Sequence, residues 1–119
     1  MTIVRVWRGY GTADGVERYW QTHFATSVLP QLRSLTGFLD AQVLVRPLAD
    51  EAEVVVETRW ESIDAIRAFA GAAYDRAVVE PVVRELLTRF DDHVSHFTVA
   101  LSTRSRRSPP ASRPPSTSR

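Results

Sequence analysis

Residues 16–28, VERYWQTHFATSV, place a histidine where a base could work. At helical spacing Val16, Trp20, His23, Phe24, Ser27 and Val28 share one stripe, so His23 points toward the interior between Trp20 and Phe24. An imidazole there can take a proton from a phenol or an activated C–H, because this side chain changes charge near neutral pH. It can equally be a core histidine satisfied by one backbone hydrogen bond. Residues 67–81, RAFAGAAYDRAVVEP, interrupt a second helical pattern at Gly71 and set Tyr74 beside the break. A phenol at that position can donate to a developing enolate or phenolate oxygen, or cover the core as a rim aromatic. Trp60, Phe69, Trp20 and Phe24 are the flat side chains available to hold an aromatic ligand; Trp60 also fits a plain core role.

The elements that must position these residues follow from periodicity. Residues 3–9, 37–46, 53–61 and 93–101 alternate at period two, as half-buried strands do. The short PLADEAE link at 47–53 predicts a hairpin between the second and third strands. Asp14 with Glu17 three residues on resembles a capping box that opens the first helix, and Pro30 is expected to bend or end it. Beyond the broken helix, Val83, Leu86, Leu87 and Phe90 form another apolar stripe. The order β-α-β-β-α-β predicts an α+β fold, a ferredoxin-like βαββαβ sandwich with helical segments on one face of a four-stranded antiparallel sheet. Alternation assigns Val4, Val6, Ala41, Val43, Val54, Val56, Trp60 and Phe97 to the face under the helices. The other face then carries Arg5, Trp7, Asp40, Glu57, Arg59 and His96 among apolar groups. That mixture predicts a homodimer interface.

Composition narrows the classes. The 119 residues are 44% hydrophobic and 24% charged, in keeping with one domain over 1–101. Residues 102–119, an Arg/Ser/Pro-rich stretch, lack apolar side chains and are expected to be disordered. All 15 basic residues are arginine and five lie in that tail, which leaves ten against 14 acids and a body near −4. Such a body argues against nucleic acid as a partner. No long apolar run predicts a membrane span, and MTIVRVWRGY lacks a signal-peptide pattern, so a cytoplasmic location is expected. There is no cysteine. His93 and His96, three apart on a strand, fall on opposite faces, so no metal site is expected. Neither a glycine-rich phosphate loop nor GxSxG occurs.

The element order, together with RWESIDAIRAFAG at 59–71, AVVEPVVRELLTRFD at 77–91 and SHFTV at 95–99, resembles the antibiotic biosynthesis monooxygenase-like superfamily. The resemblance implies a dimeric α/β barrel, formed by two sheets face to face, with a pocket in each chain between sheet and helices. Gly71 and its alanines would let the chain step aside to leave that cavity, with Tyr74 on the rim. It further implies a cofactor-independent oxygenase acting on an aromatic or polyketide-type molecule, with His23 and Tyr74 as catalytic residues, or a haem-degrading enzyme. Both groups place a tryptophan on the second helix where this chain has Phe69, and the haem degraders add a histidine where it has Val78 and Val79. Valine cannot ligate iron, which disfavours haem. A cyclase or isomerase using the same base, and a non-catalytic dimeric ligand-binding or accessory protein, remain alternatives.

Overall fold

In the computed structural model, which describes residues 1–104, the first strand of the chain is the central one. Strand β1 (Ile3–Gly11) pairs antiparallel with β3 (Ala52–Trp60), which pairs with β2 (Phe38–Pro47) to give the expected hairpin. The other edge of β1 is shared by two short strands, β4 (Arg89–Phe90) opposite Gly9 and Tyr10, and β5 (Ser95–Thr98) opposite residues 3–6. The result is an antiparallel sheet with helices on one side, the ferredoxin-like arrangement implied by the sequence. Residues 105–119, most of the expected tail, lie outside the described residues. Among the described residues no helix is long and apolar enough to cross a membrane.

The first helical region starts at α1 (Ala13–Arg18), where the Thr12 hydroxyl accepts from the Gly15 N–H at 2.9 Å. Thr12 therefore caps this helix instead of Asp14, which pairs with Arg18 one turn on at 3.5 Å. Gly15 is required by packing: a β-carbon there would sit 2.2 Å from the Leu86 carbonyl oxygen. The chain then widens into a π-helical segment (Tyr19–Val28) before α2 (Leu29–Arg33). Pro30 does not end the helix. It stands where the π-helical segment passes into α2, and the helix runs on through it to Arg33.

Helix α3 (Ile63–Ala70) opens on Ser62, whose hydroxyl accepts from Ala65, and closes on Gly71 at φ 88°. A side chain is strained at that φ, which is why the helix stops there. Residues 71–80 then run without a helix to α4 (Pro81–Leu86). The second apolar stripe was expected to continue to Phe90 as helix. Instead Leu87 turns extended, Thr88 N–H donates to the Tyr10 carbonyl at 2.8 Å and Asp91 N–H to the Arg8 carbonyl at 3.0 Å, drawing Phe90 onto the sheet edge.

Val16, Leu32, Val54, Trp60 and Ile66 are fully buried between the sheet and the helices. Burial of each aliphatic side chain among them contributes about 1.5–3 kcal/mol. Pairing also corrects the face assignment. Ala41, Val43, Val54, Val56 and Trp60 do lie toward the helices, but on β1 it is Ile3, Arg5 and Trp7 that do so, opposite Trp60, Thr58 and Val56. On β5, His96 accompanies Arg5 on that side, and Phe97, 58% exposed, is on the open face with Val4. Arg5, Trp7 and His96, expected at a dimer interface, thus belong under the helices.

Candidate active site

A cavity of about 60 Å³ lies between the sheet and the helices. Its floor is Arg5 and Trp7 of β1 with Val56 and Thr58 of β3. The π-helical segment roofs it with Tyr19, His23, Phe24 and Val28, and Phe69, Val78 and Val83 close the sides. A π-helix bonds each N–H to the carbonyl five residues back, as Leu29 does to Phe24. Tyr19, three residues after Val16 and four before His23, turns inward with them, while Trp20, through which the stripe was drawn, packs outside the cavity.

Three polar groups converge on this mostly apolar space. The His23 ring is buried, and its Nε2 faces Glu80 Oε1 at 3.2 Å, with Glu80 about half-exposed just before α4. Tyr19 is 5% exposed; burial alone pushes its phenol well above the usual tyrosine range, so it stays protonated as a donor. Arg5 is 5% exposed. Its Nη1 donates to the Tyr74 carbonyl at 2.5 Å and lies 3.1 Å from His96 Nε2, while Nη2 donates to the Arg76 carbonyl at 3.0 Å. Burial lowers its pKa to about 10, with Asp75 opposing, and it remains a cation at neutral pH. His96 is held below the usual histidine range by burial and then by the Arg5 charge.

Of the sequence-derived candidates, His23, Phe24 and Phe69 line the cavity, joined by Arg5 and Trp7 from the other expected face. Tyr74 does not line it. The Tyr74 carbonyl, not its hydroxyl, engages Arg5, and its ring packs against His96 and under the Arg67 guanidinium. Trp60 lies beneath the site with no exposed surface; its indole N–H donates to Thr58 Oγ1 at 2.9 Å and its ring stacks on Phe69. A ligand therefore meets Phe69, and Trp60 acts only by holding that ring. Trp20 packs beside the core outside the cavity. Asp40, Glu57 and Arg59 stay on the open face, where Arg59 faces Asp40 at 3.6 Å and Gln42 donates to Glu57 at 2.7 Å. Val78, at the position where a haem iron ligand was sought, forms cavity wall. Among the described residues there is no group of three or more His, Asp or Glu side chains that could hold a metal ion.

A ferredoxin-like α+β domain with an aromatic-walled cavity between sheet and helices defines the class. Residues 4–81 match the antibiotic biosynthesis monooxygenase family, and the chain belongs to it. Among solved structures, a candidate antibiotic biosynthesis monooxygenase from Bacillus cereus is 21% identical, with a TM-score of 0.55 over 91% of this chain and 100% of that one. A second candidate from Deinococcus radiodurans is 13% identical at TM-score 0.50, over 88% and 98% of the two chains. SnoaB, a cofactor-independent oxygenase from Streptomyces nogalater, is 17% identical at TM-score 0.48, covering 87% and 98%. No curated protein sequence matches significantly.

Proposed function

We propose that the protein is a cofactor-independent monooxygenase acting on a flat aromatic or polyketide-type molecule. The observation that supports this is the convergence of a buried imidazole, phenol and guanidinium on one aromatic-walled cavity in a member of a monooxygenase family. With Nε2–H donated to Glu80, the His23 lone pair sits on Nδ1, and the carboxylate stabilises the imidazolium formed when that atom takes a proton. The substrate carbanion transfers an electron to O2. Collapse of the radical pair forms a C–O bond, and loss of water from the hydroperoxide leaves a carbonyl. A methylene and O2 thereby become a ketone and water, with O2 as the only oxidant. Tyr19, buried and protonated, donates to the developing oxyanion, the role the sequence had suggested for Tyr74.

At about 60 Å³ the cavity is smaller than the ~150 Å³ that holds a benzene in an engineered core. A substrate therefore has to displace a wall. The wall least tied by secondary structure is 71–80, which carries Val78.

The test is oxygen uptake with product mass, using metal-stripped protein and anthrones or polyhydroxylated naphthalenes. Uptake that places an oxygen atom in the product and stops under nitrogen supports the oxygenase. Equal conversion under nitrogen replaces it with a cyclase or isomerase, and binding without conversion replaces it with a ligand-binding or accessory protein. We further propose a homodimer through the open sheet face, which exposes Leu44 and Phe97 among the paired charges of Asp40, Glu57 and Arg59. Light scattering at micromolar concentration should give a dimer, and Leu44→Glu with Phe97→Glu a monomer.

A further inference from the structure

Arg5 is a buried cation whose contacts are all neutral. Two backbone carbonyls and an imidazole surround it, and among the described residues no carboxylate forms an ion pair with it; Asp75 acts only through space. A guanidinium has five N–H donors. Both on Nη1 are used by the Tyr74 carbonyl and His96, and one on Nη2 by the Arg76 carbonyl. Among the described residues the Nε–H and one Nη2–H remain without a protein acceptor, a two-donor fork that a carboxylate could meet with both oxygens. Phe69 lies under the guanidinium, 5.7 Å from Cζ, and extends the same flat surface. A buried charge without a countercharge is costly unless something else supplies one. Asp75 offsets it only from beyond contact distance, and a ligand in the cavity could supply a countercharge in contact.

We propose that Arg5 is a carboxylate subsite, and that the molecule taken into this cavity is a flat aromatic acid whose ring stacks along Phe69 while its carboxylate meets the Nε/Nη2 edge. A phenolate would fit less well, since its single oxygen would leave one arm of the fork unmatched. The inference rests on the cavity being the substrate site, as the proposed function has it, but it does not require oxygen chemistry.

The experiment is calorimetric titration of naphthoate and of its neutral isostere naphthamide into the full chain, the Arg5→Gln variant and the Arg5→Lys variant. The wild type should bind the acid about tenfold or more tightly than the amide, the size expected of a charge-assisted hydrogen-bond pair. In Arg5→Gln the two affinities should converge. Arg5→Lys keeps the charge without the fork and should retain only part of the preference. The exposed arginines are unchanged in every variant, so preference from surface attraction would survive Arg5→Gln and overturn the proposal. Equal binding of acid and amide by the wild type, or binding of neither at millimolar concentration, would also overturn it. If circular dichroism shows Arg5→Gln unfolded, the lysine variant decides: an undiminished preference there defeats the fork. Acid preference without oxygen uptake by any acid leaves the subsite standing and removes the oxygenase, whereas uptake confined to neutral substrates does the opposite.

Discussion

The two faces of the sheet each bury a charge, and they treat it differently. On the open face Glu53 is 3% exposed, held by a hydrogen bond from Arg46 and by Arg8 at 3.5 Å, with Tyr10 opposite it on β1. The Arg46 hydrogen bond leads in holding its carboxyl below the usual range. The heads of Arg8 and Arg46 stay largely in water, so the cluster desolvates one charge and keeps its partners hydrated. On the helix face Arg5 is equally buried, yet its neighbours are carbonyls and an imidazole. A charge already neutralised by its own fold serves structure. A charge whose contacts are all dipoles, with Asp75 acting only from a distance, is the one open to a ligand.

That contrast breaks most visibly in turnover. His23→Gln should lower oxygen uptake by about 10²- to 10⁴-fold, the usual worth of a general base, while Glu53→Gln leaves it near wild type. Equal losses in both variants would place the chemistry in overall stability instead of the cavity. The next effect is on folding. Glu53→Gln removes a charge-assisted hydrogen bond and should cost roughly 1.5–3 kcal/mol in urea unfolding at neutral pH. Because the folded carboxyl titrates below its unfolded value of 4.5, its contribution is full above that pH and disappears as pH falls through the lower folded value. The variant should therefore lose part of the acid limb of the stability profile. Smaller again is Arg5→Met. The methionine stem fills the same space and removes an unneutralised buried charge, while the half-exposed 71–80 segment lets water reach the freed carbonyls. Its stability should stay within about 1 kcal/mol of wild type. A loss as large as that of Glu53→Gln would make Arg5 a structural tie and erase the distinction.

The strand order and the hairpin were legible because period-two alternation survives in every strand but the last, whose edge is split between Phe90 and Ser95–Thr98. The faces of β3, and of β2 from Ala41 on, were legible for the same reason, while a bulge between Phe38 and Asp40 turns Phe38 inward against Trp60, opposite to what alternation assigns. On β1 the rule inverted: Val4 and Val6 look like core and Arg5 and Trp7 like surface, yet register puts the latter pair inward. Arg5 and Trp7 floor the cavity, so the inside-apolar assumption fails where the interior is hollow. Tyr19 was legible in principle, standing three residues after Val16 and four before His23, but the stripe was drawn through Trp20 instead. Val16, His23, Phe24 and Val28, all on the stripe drawn from the sequence, do sit inward, Val16 in the core and the other three at the cavity.

The smallest effect separates what Arg5 does to its neighbour from what burial does. His96 is pushed below 6.5 by desolvation first and by the Arg5 charge second, with Asp75 opposing. Between the lowered folded value and 6.5 the unfolded chain holds more protons, so stability should fall as pH drops through 6.5 and level off below the folded value. His96 is partly exposed, and solvent screening leaves an amplitude of roughly a few tenths of a kcal/mol. His96→Gln should abolish this limb in chemical denaturation on either side of pH 6.5. Arg5→Met should reduce it without removing it, because burial remains while the cation is gone. A limb unchanged in Arg5→Met would mean that the guanidinium charge is already neutralised from elsewhere, and the helix face would then resemble the open face after all.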